Sequence, residues 1–291
     1  DAIELWQRAR SLVIQRLRNR LRRSDPILEP RPGRFAVLVE DLVAARDAVT
    51  VACKLDSALC EPLRIGGQSW SGSLYGVWVV FPEDGREPEA LIQATETALA
   101  TPAGGSAGPQ AFVNAELAAA YQRAQRLGPA FGRALLEGAI ELGLQPQTTL
   151  APGPVGLTAV PCWQAAGVGR LYAEPLRELA ALTGQLEELT HLLLSLSCRQ
   201  LARWHAEGLT QTQLGVPVLS RRQLARSDLP AALRRIAGAT GVTLAKLELE
   251  LPAHWLEPGE RDARAALSEL AASGVRLALR VEPSSCPLLA L

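Results

Sequence analysis

Apolar and polar positions in the first hundred residues change spacing several times. In residues 1–24 the apolar residues recur about every third or fourth position, which predicts an amphipathic helix that ends near Ser24-Asp25-Pro26. Beyond it the pattern alternates between strand and helix spacing. The predicted elements are a strand over Phe35–Glu40, a helix over Leu42–Leu59, a strand over Trp70–Phe81 and a helix from Glu87 to about Ala100. Strands and helices mixed in this way predict an α+β layered domain over residues 1–100.

A linker and a helix follow this first region. The segment Thr101–Pro109, TPAGGSAGP, is rich in small residues, glycine and proline, a composition typical of linkers. A helix is predicted next, over Ala111–Leu127. We therefore expect residues 101–127 to connect two domains.

Residues 128–291 have a different rhythm, in which strand-like and helix-like segments alternate. The expected strands are Leu142–Gln147, Val155–Trp163, Gly215–Leu219, Leu244–Leu251 and Val275–Val281, with helices between most of them. This alternation is typical of a parallel sheet wrapped by helices, as in an α/β barrel of the TIM type. Only about five of the eight strands of such a barrel are visible, so we expect the sequence to be a piece of a longer chain.

Composition narrows the possible partners. The chain has 30 basic and 30 acidic residues, which leaves no long-range field to attract nucleic acid or an anionic membrane. No apolar run approaches the roughly 20 residues of a membrane span. The five cysteines have no paired spacing and the three histidines do not cluster, so neither a disulfide framework nor a metal or other cofactor is expected. These features predict a cytoplasmic protein.

Short motifs along the chain resemble two families in tandem. The segment Arg22-Arg23-Ser24-Asp25, then Arg31–Phe35 followed by AVLVEDL, and later FPEDG, resembles the second half of a GGDEF (diguanylate cyclase) domain. Further on, LQPQ, VGLTAVPCW, CRQLARWHAEG, VLSRRQL, LAKLELEL and GVRLAL follow the order of an EAL (cyclic di-GMP phosphodiesterase) domain. The resemblance implies a partial α+β GGDEF domain followed by a partial α/β EAL domain of the TIM-barrel type.

The GGDEF motif itself is lost. The pentapeptide corresponds to Arg31-Pro32-Gly33-Arg34-Phe35, with Gly33 where the family carries a metal-binding acidic residue and Arg34 beside it. Metal-assisted phosphoryl transfer needs anionic oxygen ligands, so cyclase activity is not expected.

The EAL motifs have also lost most of their metal ligands. Thr158 stands where the resemblance implies a glutamate, Val218 where it implies an amide, and Arg280 where it implies the first of two aspartates. Glu250 keeps its carboxylate. One carboxylate beside an arginine is not expected to hold two divalent ions. Because active sites of such barrels lie at the carboxyl ends of the strands, we expect these four residues to converge there.

Some positions that contact ligand in these families survive. Gln145, in LQPQ, keeps a ligand-contacting position of the EAL family, whereas Cys162 replaces its phosphate-binding arginine. Arg22 and Asp25 match the R-x-x-D pattern that binds cyclic di-GMP in many GGDEF domains. The alternative interpretation is that Asp25 ends an arginine-rich helix and pairs locally. The candidate ligand-binding residues are therefore Arg22, Asp25, Gln145 and Glu250.

Three hypotheses of function follow from the resemblance. The first is a non-catalytic regulatory module of cyclic di-GMP signalling that contacts another signalling protein or a second copy of this chain. The second is a cyclic di-GMP receptor that binds nucleotide at Arg22 and Asp25 or in the EAL pocket. The third, residual phosphodiesterase activity, is least favoured because so many ligands are absent.

Overall fold

The structure, a computed structural model, describes residues 2–70, 75–100, 109–147, 156–220, 223–224, 228–256 and 261–280. Its contacts divide the chain into two units. The first contains Asp1–Pro129 and Ala181–Gly184, and the second contains Ala130–Ala180 and Gln185–Leu291.

The first unit combines helices with short two-stranded sheets. Strands β1 and β2 pair antiparallel, as do β3 and β4, whereas β5 and β6 pair parallel. Its elements are α1 (Ala2–Arg20), β1 (Ile27–Arg31), β2 (Arg34–Val37), α2 (Asp47–Leu59), β3 (Leu63–Ile65), β4 (Gln68–Trp70), β5 (Gly76–Trp78), α3 (Pro88–Ala100), β6 (Gln110–Phe112) and the start of α4 (Ala115–Glu137). The mixed α and β character expected for this region is confirmed.

Amphipathic helices build the core of this unit. Val13 and Leu17, one turn apart on α1, are buried against Leu55 of α2. A second cluster joins the other face of α2 to α4 and includes Val49 and Tyr121. The apolar residues whose spacing predicted these helices are therefore the residues that pack in the core.

Two helices begin later than the sequence pattern predicted, α2 after a turn that Asp47 stabilises and α4 after a capping asparagine. Helix α2 begins at Asp47, whose carboxylate accepts hydrogen bonds from the backbone N–H groups of Val43 and Ala44, both at 3.1 Å. Helix α4 begins after Asn114, whose side chain accepts from the N–H groups of the second and third helical residues at 2.9 and 3.0 Å. The predicted linker lies almost entirely outside the described residues.

The second unit is an α/β structure. Its strands are β7 (Ile140–Gln147), β8 (Gly156–Ala165), β9 (Gly169–Tyr172), β10 (Leu214–Pro217), β11 (Leu247–Pro252) and β12 (Arg276–Arg280). Its helices are the end of α4, then α5 (Glu174–Leu182), α6 (Leu186–Ala206), α7 (Asp228–Thr240) and α8 (Arg261–Ala272), and a short 3-10 turn precedes β11.

These strands form an open sheet rather than a closed barrel across the described ranges. The order is β12-β11-β10-β8-β7, and β9 also pairs with β8. Strands β8, β10, β11 and β12 are parallel, but β7 and β9 both run antiparallel to β8. The expected strand–helix alternation therefore holds only after β8, because the first part of this unit is built from hairpins. The α/β class is confirmed, and barrel closure is not found.

The two faces of this sheet differ in polarity. On one face, Leu214, Leu247 and Leu249 are fully buried, and α6 packs against β8 and β10. Because side chains alternate along a strand, the intervening residues point to the other face. That face carries Thr158, Glu248 and Glu250, which are half-buried, and Gly215, which is buried between them. We call it the polar face of the sheet; it holds the candidate site.

Candidate functional site

Three side chains, those of Gln147, Thr158 and Glu250, form a closed hydrogen-bonded cluster on the polar face. The Thr158 hydroxyl donates to Glu250 Oε1 at 2.7 Å, and Gln147 Nε2 donates to the same oxygen at 3.0 Å. Gln147 Nε2 also donates to Thr158 Oγ1 at 2.8 Å. Each group of this triangle therefore bonds the other two, and neutral donors satisfy Glu250 Oε1.

Strand register brings these three residues together. Gln147 of β7 pairs with Gly156 of β8, so it lies diagonally across from Thr158, two residues further along the same face. Thr158 is level with Gly215 of β10 and Glu248 of β11, so Glu250 lies two residues further along β11 on the same face. The cluster spans four neighbouring strands and needs a residue without a side chain on β10.

Gly215 provides that space. A Cβ atom at this position would lie 2.3 Å from Glu250 Oε1 and 3.0 Å from Gln147 Nε2, closer than real Cβ atoms approach such groups. The glutamate carboxylate therefore lies directly over the backbone of Gly215. A similar gap exists at Gly156, where a Cβ would lie 2.2 Å from Gln147 Oε1. These two glycines admit the glutamine and the carboxylate to the centre of the sheet.

A second polar group lies on the same face, towards the amino ends of the strands. Arg276 of β12 forms an ion pair with Glu248 of β11 at 3.6 Å between Nε and Oε2. The Arg276 guanidinium also donates to the side-chain carbonyl of Gln213. The second carboxylate of this face is therefore already paired with a cation.

The residues of this face do not fit a two-metal centre. Within the described ranges, no group of three or more histidine, cysteine, aspartate or glutamate side chains could hold a metal ion. Glu250 contributes one carboxylate, whose Oε1 accepts from Thr158 and Gln147. Divalent cations in such centres need several anionic oxygen ligands, and this donor set does not supply them.

The structure brings together some of the residues expected to converge and not all of them. Thr158 contacts Glu250 directly, and the backbone N–H of Val218 donates to the backbone carbonyl of Glu250 at 2.9 Å. Arg280 of β12 pairs with Pro252, which lies two residues after Glu250 on β11. The side chain of Arg280 is exposed. The expectation that all four lie at carboxyl strand ends is wrong for Thr158, the third residue of the ten-residue β8.

Gln147 was missed by the sequence reasoning, which selected Gln145 from the same LQPQ segment. Gln145 is directly opposite Thr158 in the register, but its side chain is exposed. Both glutamines point to the polar face, since they are two residues apart on one strand. Because side chains on one face of a strand recur every second residue, the sequence could have identified Gln147 as a candidate equal to Gln145. Only the diagonal position of Gln147 relative to Thr158 distinguishes the two glutamines. Cys162, also on β8, is buried.

The R-x-x-D segment folds into a local turn just after α1. The Asp25 carboxylate is buried, 2% exposed, and accepts a hydrogen bond from the backbone N–H of Arg22 at 2.8 Å. The Arg22 side chain is exposed and lies 3.4 Å from the backbone carbonyl of Glu40. Arg18 donates to the Asp25 carbonyl at 2.7 Å. These contacts favour the interpretation in which Asp25 pairs locally.

The turn that resembles the GGDEF motif packs against an aromatic ring. Gly33 has φ +78°, in the left-handed region that favours glycine, and a Cβ there would lie 3.1 Å from Trp6 Cη2. Arg34, the next residue, lies 3.4 Å from Glu96 of α3. Trp6 therefore lies beside the turn at the position where the family resemblance implies a metal-binding side chain.

Known proteins identify the second unit. The open sheet, with α6 packed against three of its strands, defines an α/β structural class. Residues 130–281 match the EAL domain, and the chain belongs to this family.

Relatives of the chain are longer than its 291 residues. An uncharacterized signaling protein of Caulobacter vibrioides is 28% identical over 244 residues, which cover 81% of this chain and 29% of that protein. The chain thus spans less than a third of that relative. Among solved structures, the PaMucR phosphodiesterase in complex with c-di-GMP is 24% identical, with a TM-score of 0.48, over 52% of this chain and 62% of that one. The S helix–GGDEF–EAL region of Vibrio cholerae LapD is 10% identical, with a TM-score of 0.39, over 92% and 62%.

A helix can cross a membrane only if it is long enough and apolar enough. In the part of the chain that the structure describes, none of the helices is both long enough and apolar enough to cross a bilayer.

Proposed function

We propose that this protein is a non-catalytic member of the EAL family that acts in cyclic di-GMP signalling as a regulatory protein-interaction module. The observation that carries the proposal is the triangle of Gln147, Thr158 and Glu250. In a phosphodiesterase of this family the corresponding glutamate would be a metal ligand. Here its Oε1 is held by two neutral donors from the protein.

The charge distribution supports the same proposal. A metal centre on this face would need free carboxylates, but Glu248 is paired with Arg276, and Arg280 adds a positive charge on the neighbouring strand. Cations near the site disfavour the binding of further cations. The remaining function of the domain is then recognition rather than hydrolysis.

Exposed apolar side chains support a role in protein contact. Leu28 and Leu38, on and just after the strands of the β1–β2 hairpin, are 63% and 57% exposed, and Val43, shortly after them, is 97% exposed. Contiguous exposed apolar patches are typical of surfaces that bind other proteins, and these three residues lie close together in the sequence. The resemblance of this region to a GGDEF domain, and its loss of the metal-binding residue at Gly33, form part of the same proposal.

The alternative function is a receptor for cyclic di-GMP. One observation favours it: Gln145 is exposed on the polar face beside the cluster, where a ligand can reach it. The PaMucR structure is a complex with c-di-GMP, so nucleotide binding is the natural activity to test. The other candidate location is the Arg22 side chain, which is exposed, beside the buried carboxylate of Asp25.

Calorimetric titration with cyclic di-GMP distinguishes the two functions. The interaction module predicts no saturable heat with the unmodified protein in the presence of Mg²⁺. Saturable binding would contradict it, and two variants would then locate the ligand. Loss of binding in Gln145→Ala but not in Arg22→Ala would assign it to the polar face, and the reverse result would assign it to the R-x-x-D turn.

A further inference from the structure

A buried carboxylate inside the first unit accepts hydrogen bonds from three neutral side chains and, among the described residues, from no cation. Asp56, on α2, is 6% exposed. Its Oδ1 accepts from Gln110 Nε2 at 2.8 Å, and its Oδ2 accepts from Gln125 Nε2 at 2.7 Å and from the Tyr121 hydroxyl. All three donors are neutral. A buried carboxylate is costly unless each oxygen is hydrogen-bonded, so the network around it is energetically important.

The donors come from elements that are far apart in the chain. Gln110 belongs to β6, and Tyr121 and Gln125 belong to α4. The network extends to β5, because Trp78 Nε1 donates to Gln110 Oε1 at 2.9 Å. Gly76, also on β5, admits the Gln110 side chain, since a Cβ there would lie 2.0 Å from Gln110 Oε1.

Aromatic rings close the network on one side. Phe112 stacks on Trp78 with ring centroids 5.7 Å apart, and it contacts Tyr121 at 5.6 Å.

The thiol of Cys53 lies about one turn before Asp56 on α2, and burial raises its pKa to about 12, so it is neutral at pH 7. Burial also raises the pKa of Asp56.

Two of the donors to Asp56 lie on α4, so the network depends on the position of this helix. Tyr121 and Gln125 are four residues apart, so they lie one above the other on the same helix face. Both donate to one oxygen of Asp56. A rotation of α4, or a shift along its axis, would break both hydrogen bonds together, and it would leave Oδ2 of the buried carboxylate without these donors.

We propose that Asp56 is a register pin, a single buried carboxylate that fixes the first half of α4 and strand β6 relative to α2. Helix α4 carries residues of both units, and the EAL match begins at residue 130 within it. A signal that moves this helix must therefore first break the Asp56 network. The inference goes beyond the proposed function and does not depend on whether the EAL region binds nucleotide.

Hydrogen exchange of the full chain tests the pin. In Asp56→Ala we expect the amides of residues 117–128 and 110–112 to exchange at least about tenfold faster than in the unmodified protein. The α1 amides around Val13 and Leu17 should change much less, because their cluster touches the network only through Trp78. Tyr121→Phe, which removes one donor and keeps the ring, should give a smaller change with the same distribution.

A matched control uses another carboxylate of the same unit. Asp84 accepts from the backbone N–H of Val80 at 2.7 Å, outside the network. Asp84→Ala should leave the exchange of α4 unchanged. The pin is overturned if Tyr121→Phe accelerates α1 as much as α4, which would indicate loss of general stability. It is also overturned if Tyr121→Phe and Asp56→Ala both leave α4 unaffected.

Discussion

At the scale of single residues, the chemistry of the candidate site depends on the side chains that contact Glu250. Motif comparison can show that Glu250 keeps its carboxylate while its partners change. It cannot show that Thr158 and Gln147 turn towards that carboxylate, because this depends on the register of four strands. Thr158, which the resemblance aligns with a glutamate of the family, instead contributes a hydroxyl that donates to Glu250.

Gly215 offers a direct test of this arrangement. Gly215→Ala places a methyl group 2.3 Å from the present position of Glu250 Oε1, so the carboxylate must move and lose its donors. We expect the free energy of unfolding to fall by about 1–3 kcal/mol, as in other overpacked sites. Chemical denaturation measures the change.

A double-mutant cycle supplies the control for that prediction. In a Glu250→Ala background the obstructing carboxylate is gone, so Gly215→Ala should cost much less. An equal cost in both backgrounds would mean that Glu250 does not lie over Gly215.

At the scale of elements, local pattern predicted the long helices well and the short strands poorly. Helices α1 and α3 lie close to their expected ranges, because each has apolar residues at helical spacing. Strands β1, β3, β6 and β9 were not expected. Each is three to five residues long and exists because a partner strand completes its hydrogen bonds, which the local sequence does not encode.

Helix α7 carries a prediction that concerns the helix alone. Gly238 lies inside it, is exposed, and would accept a Cβ with nothing within 4 Å. Gly238→Ala should therefore raise the free energy of unfolding by roughly 0.5–1 kcal/mol, since alanine loses less backbone entropy in a helix. Thermal denaturation would detect the gain.

The neighbouring glycine gives a matched control of opposite sign. Gly241 follows the end of α7 with φ +68°, a conformation that side chains disfavour. Gly241→Ala should destabilise the protein by roughly 1–2 kcal/mol. If both substitutions shift stability in the same direction, the helix does not end where the structure has it.

At the scale of the whole molecule, the sequence identified the class of the second region but not the form of its sheet. Alternating strands and helices predicted an α/β domain, and the EAL match confirms it. The pattern did not reveal that β7 and β9 run antiparallel to β8, because strand direction depends on how connections fold back. The sequence also does not predict that Ala181–Gly184 belongs to the first unit, because tertiary contacts and not the local sequence decide this assignment.

Under the proposed function, the EAL region of this protein does not hydrolyse cyclic di-GMP. The most direct measurement is the formation of linear product from cyclic di-GMP by the purified chain with Mg²⁺ or Mn²⁺. Because Glu250 is the one carboxylate of its cluster, and Glu248 is paired with Arg276, we expect no product above the buffer control, even at high protein concentration. Turnover that follows the protein through purification and disappears in Glu250→Ala would contradict the account.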